Sequence, residues 1–461
     1  MRSVHALLAL PLAAAALLFA GRSRAEGTTP FRKGPYLQAL GSAGVTVKVE
    51  LAERAPAKLV ILAAGTENVI ASAEAAEPKS FHALRAEGLT PGTPFDYRVE
   101  SGAAKSALGH FTTAPVDDRP FRFQIYGDSR DDGASHAAVV RAMLAEPADF
   151  LINTGDMVHS GVEPRDWEDF FAIERDLLRD RCVFAAVGNH ELYRGNPEGG
   201  VAFLRYFASY DQGQEERRLH GSFRWGNTRF FLLNAMDTWT GEERDWLRQA
   251  LDSALREPGL AHRIAVLHHG PFSSGPHGAN KALADQGIVA IMRDRKVDLV
   301  LAGHDHIYER GEGEGLKYLV SGGAGAPLYE RKFHDAHTQV LESVHHFISV
   351  AVEGETITTV AKRASGGIIE RCVLRAGAPW DCNGGAGEST TGSGAKAAPA
   401  GPSGVARSGA CGCEVAGAAC ESGWAGWLAG GVMLIGARRA ATRARISTQR
   451  RKGAKAQPDR I

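Results

Sequence analysis

The chain carries no net charge: 53 acidic residues balance 53 basic ones across 461 positions. No global field therefore favours nucleic acid or an anionic membrane surface, and partners must be chosen at local sites. Cysteine is scarce, with six in the whole sequence. Cys372 and Cys382 lie close together and form the best candidate pair, whereas Cys182, opening the apolar run "CVFAAV", reads as a buried thiol acting as a small hydrophobe. Long apolar runs are also missing. The stretch from Ala6 to Ala20 falls short of the ~20 residues a membrane-spanning helix needs, and "WAGWLAGGVMLIGA" near the C-terminus, at about fourteen, is marginal.

Residues 1–25 combine a basic start at Arg2, a short apolar stretch, and small residues at Ser23 and Ala25. This is the pattern of a signal peptide cleaved after Ala25, with an uncleaved anchor as the alternative. Export to the periplasm, the outer cell surface or the medium is the consequence, and with it an oxidising compartment in which cysteines pair. Over residues 26–115, short alternating runs such as "VTVKVEL", "KLVILAA" and "FDYRVES" are punctuated by Gly and Pro, which predicts a small all-β sandwich.

Over residues 119–375, apolar strands alternate with helical segments such as "SHAAVVRAMLAE" and "PRDWEDFFAIERDLLRD", a hairpin turns at Gly226-Asn227, and helices are expected near 242–257 and 280–295. That alternation predicts an α/β domain with helices covering its sheets. Residues 376–410, rich in Gly, Ala, Ser and Thr, read as a linker that cannot bury enough apolar surface to order itself. Residues 411–461 hold "CGCEVAGAAC", a short apolar run and an Arg-rich end.

Polar residues recur where the buried strands end: "GDSR", "GDMVHSG", "GNHE", "LHHG" and "GHDHIYER". Ligands in open α/β sheets bind at the carboxyl ends of strands. These ends supply Asp, Asn and His, which suit Mn, Fe or Zn. In an extended strand His304 and His306, two residues apart, share a face. Asp156, whose strand is central in the series, is placed to bridge two divalent ions, a device for phosphoryl transfer.

The five motifs, in that order, resemble those of calcineurin-like metallophosphoesterases, and the β-rich segment ahead of them narrows the resemblance to the purple acid phosphatase branch. "GLTPGTPFDYRVES" is similar to the turn and strand of fibronectin type III domains, with Phe95 at the usual tyrosine position and Tyr97 two residues on. The resemblance implies a four-layer αββα sandwich preceded by a fibronectin III-like all-β sandwich. It implies two divalent or mixed-valence metal ions (Fe, Mn or Zn). One would be held by Asp128, Asp156 and His306, the other by Asp156, Asn189, His268 and His304, with His269 the alternative to His268. It further implies that His190 faces the phosphate and that His277 contacts the substrate or protonates the leaving group.

Two positions depart from the branch. His159 stands where those enzymes have a metal-bound tyrosine, so the protein is expected to be colourless; His159 is either a replacement ligand or a loop residue lining the cleft. Arg130 stands two residues after Asp128, where many metallophosphoesterases ligate with histidine. It either reaches a substrate phosphate or pairs with Asp131 or Asp132. The C-terminal segment resembles a myxobacterial sorting tag, which implies engagement with membrane and sorting machinery, with a plain tail anchor as the alternative. The implied activity is hydrolysis of phosphate monoesters on a small molecule or protein, with a phosphodiesterase, a nucleotidase or a non-catalytic surface binding protein as alternatives.

Overall fold

In the computed structural model, which describes residues 30–192, 200–207, 219–236 and 241–382, the N-terminal runs pair into an all-β unit. Strands β1 (Phe31–Gln38), β2 (Gly44–Ala63), β3 (Val69–Glu87), β4 (Pro94–Ser101), β5 (Ala104–Lys105) and β6 (Gly109–Thr112) form one hydrogen-bonded network. The first half of β2 pairs with β1 and β3, and its second half with β3 and β4; the register slips between Glu50 and Ala57. Such slips bend a strand, which lets β2 serve both ends of the unit. Its alternate residues Val45, Val47, Val49, Leu59 and Ile61 pack on Tyr97, Val99 and Phe111. Tyr97 also ties this unit to the α/β domain, donating to the carbonyl of Arg179 at 2.7 Å.

The α/β domain alternates as the sequence predicts. Strand β7 (Phe121–Tyr126) leads to α1 (Gly133–Leu144), β8 (Phe150–Asn153), α2 (Pro164–Ile173), α3 (Arg175–Asp180), β9 (Cys182–Ala185), α4 (Asn189–Leu192) and α5 (Val201–Tyr206). Then come β10 (Gly221–Trp225), β11 (Thr228–Leu232), α6 (Gly241–Arg256), β12 (His262–Val266), α7 (Lys281–Asp285), α8 (Ile288–Asp294) and β13 (Leu299–Ala302). Strands β14 (Tyr308–Gly313), β15 (Leu316–Ser321), β16 (Thr338–Glu342), β17 (His346–Glu353), β18 (Thr356–Arg363) and β19 (Ile368–Arg375) complete it. One sheet has the order β19-β18-β17-β7-β8-β9, the other β10-β11-β12-β13-β15-β14-β16.

Strand periodicity builds the layers. Phe123, Ile125, Phe150, Ile152 and Phe184 from the first sheet meet Phe230, Leu232, Ile264, Val266, Leu299 and Leu301 from the second in one buried cluster. The alternate residues point the other way. Leu151 and Val183 pack with Val139, Met143 and Phe170 from α1 and α2, while Ala265 and Val300 pack with Leu247, Leu251, Ile288 and Met292 from α6 and α8. The result is helix, sheet, sheet, helix.

Local chemistry changes some boundaries. The helix expected near 280–295 is broken at Gly287, whose φ of 76° is left-handed. The segment from 164 breaks at Glu174, whose buried carboxylate accepts from Tyr126 at 2.7 Å and bonds His136 at 2.9 Å. Cys372 and Cys382 form a disulfide and Cys182 is buried and free. That bridge, with the backbone pairing of Val373 and Asp381, folds residues 376–382 back onto β19, although the composition there reads as linker. The expected leader at 1–25, the linker beyond 382 and the 411–461 tail lie outside the described residues. Among the described residues no helix is long and apolar enough to cross a membrane.

Phe150, fully buried, packs against Phe123, Phe184, Phe223, Trp225 and Phe230 between the sheets. Phe150→Ala is expected to destabilise the protein by about 3–5 kcal/mol, measured by denaturant unfolding; a loss below about 1 kcal/mol would contradict this packing.

Candidate metal centre

In the first sheet β7, β8 and β9 run parallel with β8 in the middle, and in the second β11, β12 and β13 run parallel. Their carboxyl ends deliver Asp128, Asp156 and Asn189 from one sheet and His268, His304 and His306 from the other. The chain must turn sharply there. Asp128, Asp156 and His304 sit at φ of 56°, 54° and 71°, left-handed conformations that cost about 1–3 kcal/mol each away from glycine. Glycines at these strand ends permit close approach: a Cβ on Gly188, ahead of Asn189, would run into Asp156, and one on Gly303, ahead of His304, would meet Asp128 Oδ2 at 2.5 Å.

His304 is therefore not on an extended strand, and the same-face expectation for His304 and His306 does not hold. The left-handed turn after β13 sends the two rings to different places. His304 Nδ1 lies 3.1 Å from His268 Nε2, whereas His306 Nε2 lies 3.6 Å from Asp128 Oδ1.

Asp156 stands between these groups. Its Oδ1 is 3.3 Å from His268 Nε2, which in turn lies 3.2 Å from Asn189 Oδ1. Asp156, His268 and His304 each offer a ligand atom, and these lie within 4.8 Å of one another. The other oxygen, Oδ2, accepts from Arg130 Nε at 3.3 Å. Ring orientation is fixed from behind: His268 Nδ1 donates to the carbonyl of Thr154 at 2.8 Å and His306 Nδ1 to that of Pro327 at 2.6 Å. Both Nε2 atoms are thereby aimed inward. Asp128 Oδ1 is buried with no hydrogen-bond partner. An orphaned carboxylate oxygen among inward-facing imidazoles fits a cation.

The remaining site residues lie around this cluster. His190 donates from its backbone to Asp156 Oδ1 at 3.0 Å, its Nδ1 bonds the carbonyl of His159, and its Nε2 stands 3.8 Å from Asp156 Oδ2. His277 packs against His304 with ring centres 4.2 Å apart and the ring planes tilted by 38°. His159, in contrast, has a 65% exposed side chain and bonds Asp131 at 2.6 Å, outside the buried donor cluster. Arg130 pairs with Asp131, as one alternative holds, and with Asp156 and His306 besides. Of the histidine doublet, the fully buried His268 faces Asp156, whereas His269 Nε2 donates to the carbonyl of Gly278 at 2.9 Å.

Two carboxylates in the motifs had no role assigned from sequence. Glu191, fully buried, accepts from the backbone of Gly188, Asp156 and Met157 at 2.8, 2.9 and 2.8 Å, clamping the Asp156 turn to the Asn189 turn. Asp305, between the two histidines, accepts from His277 Nδ1 at 2.9 Å and from Ser273 and Gly278. The signal was present, since a carboxylate pressed between ligands at a buried strand end needs donors.

Burial opposes ionisation of Asp156, but His268 and His190 hold its carboxyl well below the usual range. Burial, with the Asp156 charge added, pushes Asp128 well up. Burial alone would lower His268; Asp156 and Asp128 outweigh it and hold the imidazolium up to about 9. Burial pushes His306 down to about 4, and burial with the His268 charge pushes His304 far below its ordinary value. His304 and His306 are thus neutral donors at neutral pH, while His268 must lose a proton to ligate.

Residues 125–308 match the calcineurin-like phosphoesterase family. An uncharacterized protein of Mycobacterium tuberculosis is 28% identical over 259 residues, covering 48% of this chain and 49% of that protein, so the chain spans about half the length of that relative. Purple acid phosphatase 7 of Arabidopsis thaliana is 25% identical over 244 residues, 46% of this chain and 72% of the plant protein. Among solved structures, purple acid phosphatase PPD1 from yellow lupin (Lupinus luteus) seeds has a TM-score of 0.63 at 17% identity over 74% of each chain. PhoD has 0.61 at 13%, covering 78% of this chain and 94% of its own. At these identities the structural likeness is one of fold.

Because His268 is held protonated, binding of the first equivalent of Mn2+ or Zn2+ at pH 7.5 is expected to release about one proton. Affinity then rises with pH until the imidazolium is titrated near 9. Calorimetry in buffers of different ionisation enthalpy measures the release; heats independent of buffer would contradict it.

Proposed function

The chain carries a calcineurin-like metallophosphoesterase domain at residues 125–308 with purple acid phosphatase-like relatives, and from it we propose an exported hydrolase of phosphate monoesters that uses two metal ions of the Fe, Mn or Zn type. One observation carries this reading. The two oxygens of Asp156 face different donor groups, Oδ1 toward His268 and Asn189, Oδ2 toward the side where His306 and Asp128 meet. A carboxylate so placed would be able to touch two ions, and the family itself implies a dinuclear centre. Asp128, Asp156 and His306 would hold one ion, and Asp156, Asn189, His268 and His304 the other. Bound there, a pair of divalent ions supplies charge to neutralise phosphate oxygens and to make water nucleophilic near neutral pH.

The chain's own side chains provide the rest. His190 is locked through its backbone to Asp156 and through Nδ1 to the His159 carbonyl, leaving Nε2 to meet the phosphate as charge builds. His277 is 40% exposed at the mouth, with Nδ1 committed to Asp305. Its Nε2 is then the nitrogen that would deliver a proton to the leaving alkoxide when the ring is doubly protonated, and Asp305 keeps Nδ1–H in place and orients the ring as that proton leaves. Glu191 keeps the Asp156 turn from relaxing.

The finer parts of the reading rest on other features. The leader-like residues 1–25 and the Cys372–Cys382 bridge support export. The split pairing of β2 supports a fibronectin III-like N-terminal sandwich. The short apolar run and Arg-rich end support a sorting tag acting at a membrane. The Arabidopsis relatives' names support a monoester substrate, on a small molecule or a protein.

The test is to assay the full chain on p-nitrophenyl phosphate and bis(p-nitrophenyl) phosphate with Mn2+, Zn2+ or Fe2+, with bound metal measured in parallel. Preference for the diester would turn the reading to a phosphodiesterase, and no turnover despite bound metal would sink the hydrolase. Asp156→Asn and His304→Ala are each expected to lower kcat/KM more than about a hundredfold and to reduce bound metal. Asp305→Asn is expected to lower kcat about 10–100-fold with metal content unchanged; loss of metal instead would assign Asp305 to the centre.

A further inference from the structure

Arg130 holds a position that the two-ion reading leaves unexplained. Its Nε donates to Asp156 Oδ2 at 3.3 Å and its Nη2 lies 3.2 Å from His306 Nε2. Since His306 Nδ1 already donates to Pro327, that Nε2 offers a lone pair, the same one a cation would use. The guanidinium therefore engages two of the three groups on that side of the centre, while the third, Asp128 Oδ1, is left without a hydrogen-bond partner. Among the described residues no guanidinium bonds the opposite side, where Asp156 Oδ1, Asn189, His268 and His304 converge. Arginine stays charged and cannot ligate, so it competes with an ion rather than helping to hold one.

Resting on the two-ion reading, we propose that Arg130 is a built-in occupant of one cation position, so that the centre loads unequally. The first ion binds at Asp156, Asn189, His268 and His304. The second binds at Asp128, Asp156 and His306 as the Arg130 side chain withdraws. The fold offers it a place to go: a cavity of 580 Å3 adjoins the site, lined by Arg130, Asp131, His159, Asp166 and Asp169 among others. Asp131 is the anchor. It pairs with Arg130, and His159 holds it in turn at 2.6 Å. His159 thereby acts on the centre indirectly, through the anchor of the competing charge.

The full chain, stripped of metal, is titrated with Mn2+ by equilibrium dialysis and elemental analysis. In the native protein the first equivalent is expected to bind at least about tenfold more tightly than the second. Arg130→Gln and Arg130→Ala should tighten the second equivalent about tenfold or more and leave the first within about twofold. Asp131→Asn, which loosens the anchor, should move the second in the same direction. His306→Ala should abolish the second and keep the first, which locates it. Thermal unfolding with one equivalent bound confirms that each variant is folded. Equal affinities in the native protein, or a second equivalent unchanged or weakened in the folded variants, would overturn the proposal while leaving the metal centre intact. A native protein that binds no ion at all would overturn both.

Discussion

A single carboxylate organises the α/β domain. Asp156 follows β8, the middle of the three parallel strands of the first sheet, and its oxygens look in two directions, one to the imidazoles of the second sheet and one to the His306 side. Placing it there requires a left-handed backbone at Asp156 itself, neighbouring glycines with no side chain, and a buried Glu191 that gathers three backbone donors around the turn. Each is unfavourable alone. They persist because the two sheets behind them are rigidly packed by interleaved aromatic and branched side chains.

Electrostatics then divides the histidines by task. Rings whose Nδ1 is bound to a carbonyl behind them are pinned as inward donors, as with His268 and His306. A ring whose Nδ1 is bound to a carboxylate at the mouth, His277, is instead equipped to carry a proton. In the proposed reaction the same residue type would thus serve as ligand or acid according to what stands behind it. Surface position matters equally: His159 shares a loop with the ligands yet binds Asp131 and faces solvent.

Much of this was legible in the sequence, and the reasons differ by element. Strands ending in Gly-Asp, Gly-Asn and His-x-His are local patterns, so the strand ends and the donor residue types could be read directly. The layered architecture followed from the alternation of periodicities. What could not be read were effects of tertiary contact. The break at Glu174 depends on Tyr126 and His136 from other elements, and the choice between His268 and His269 depends on which ring is buried against Asp156. The turn conformation of His304 hid the separation of His304 from His306, because an extended reading puts them on one face. Glu191 and Asp305 were visible as residues, but their roles are made by backbone donors distant in sequence.

The far end of the domain is built as a clasp. Tyr308 and Arg310, just past the His304 turn, are gripped by Glu370 on β19 at 2.6 and 2.8 Å. Two residues on, Cys372 is joined to Cys382, and Trp380 donates to the carbonyl of Gly311 at 3.1 Å. A pull arriving at Cys382 passes through the covalent bridge into β19 at Cys372 rather than through residues 373–381. Whatever tugs on that end, the short segment between the two cysteines is bypassed and the load enters the edge of the sheet instead.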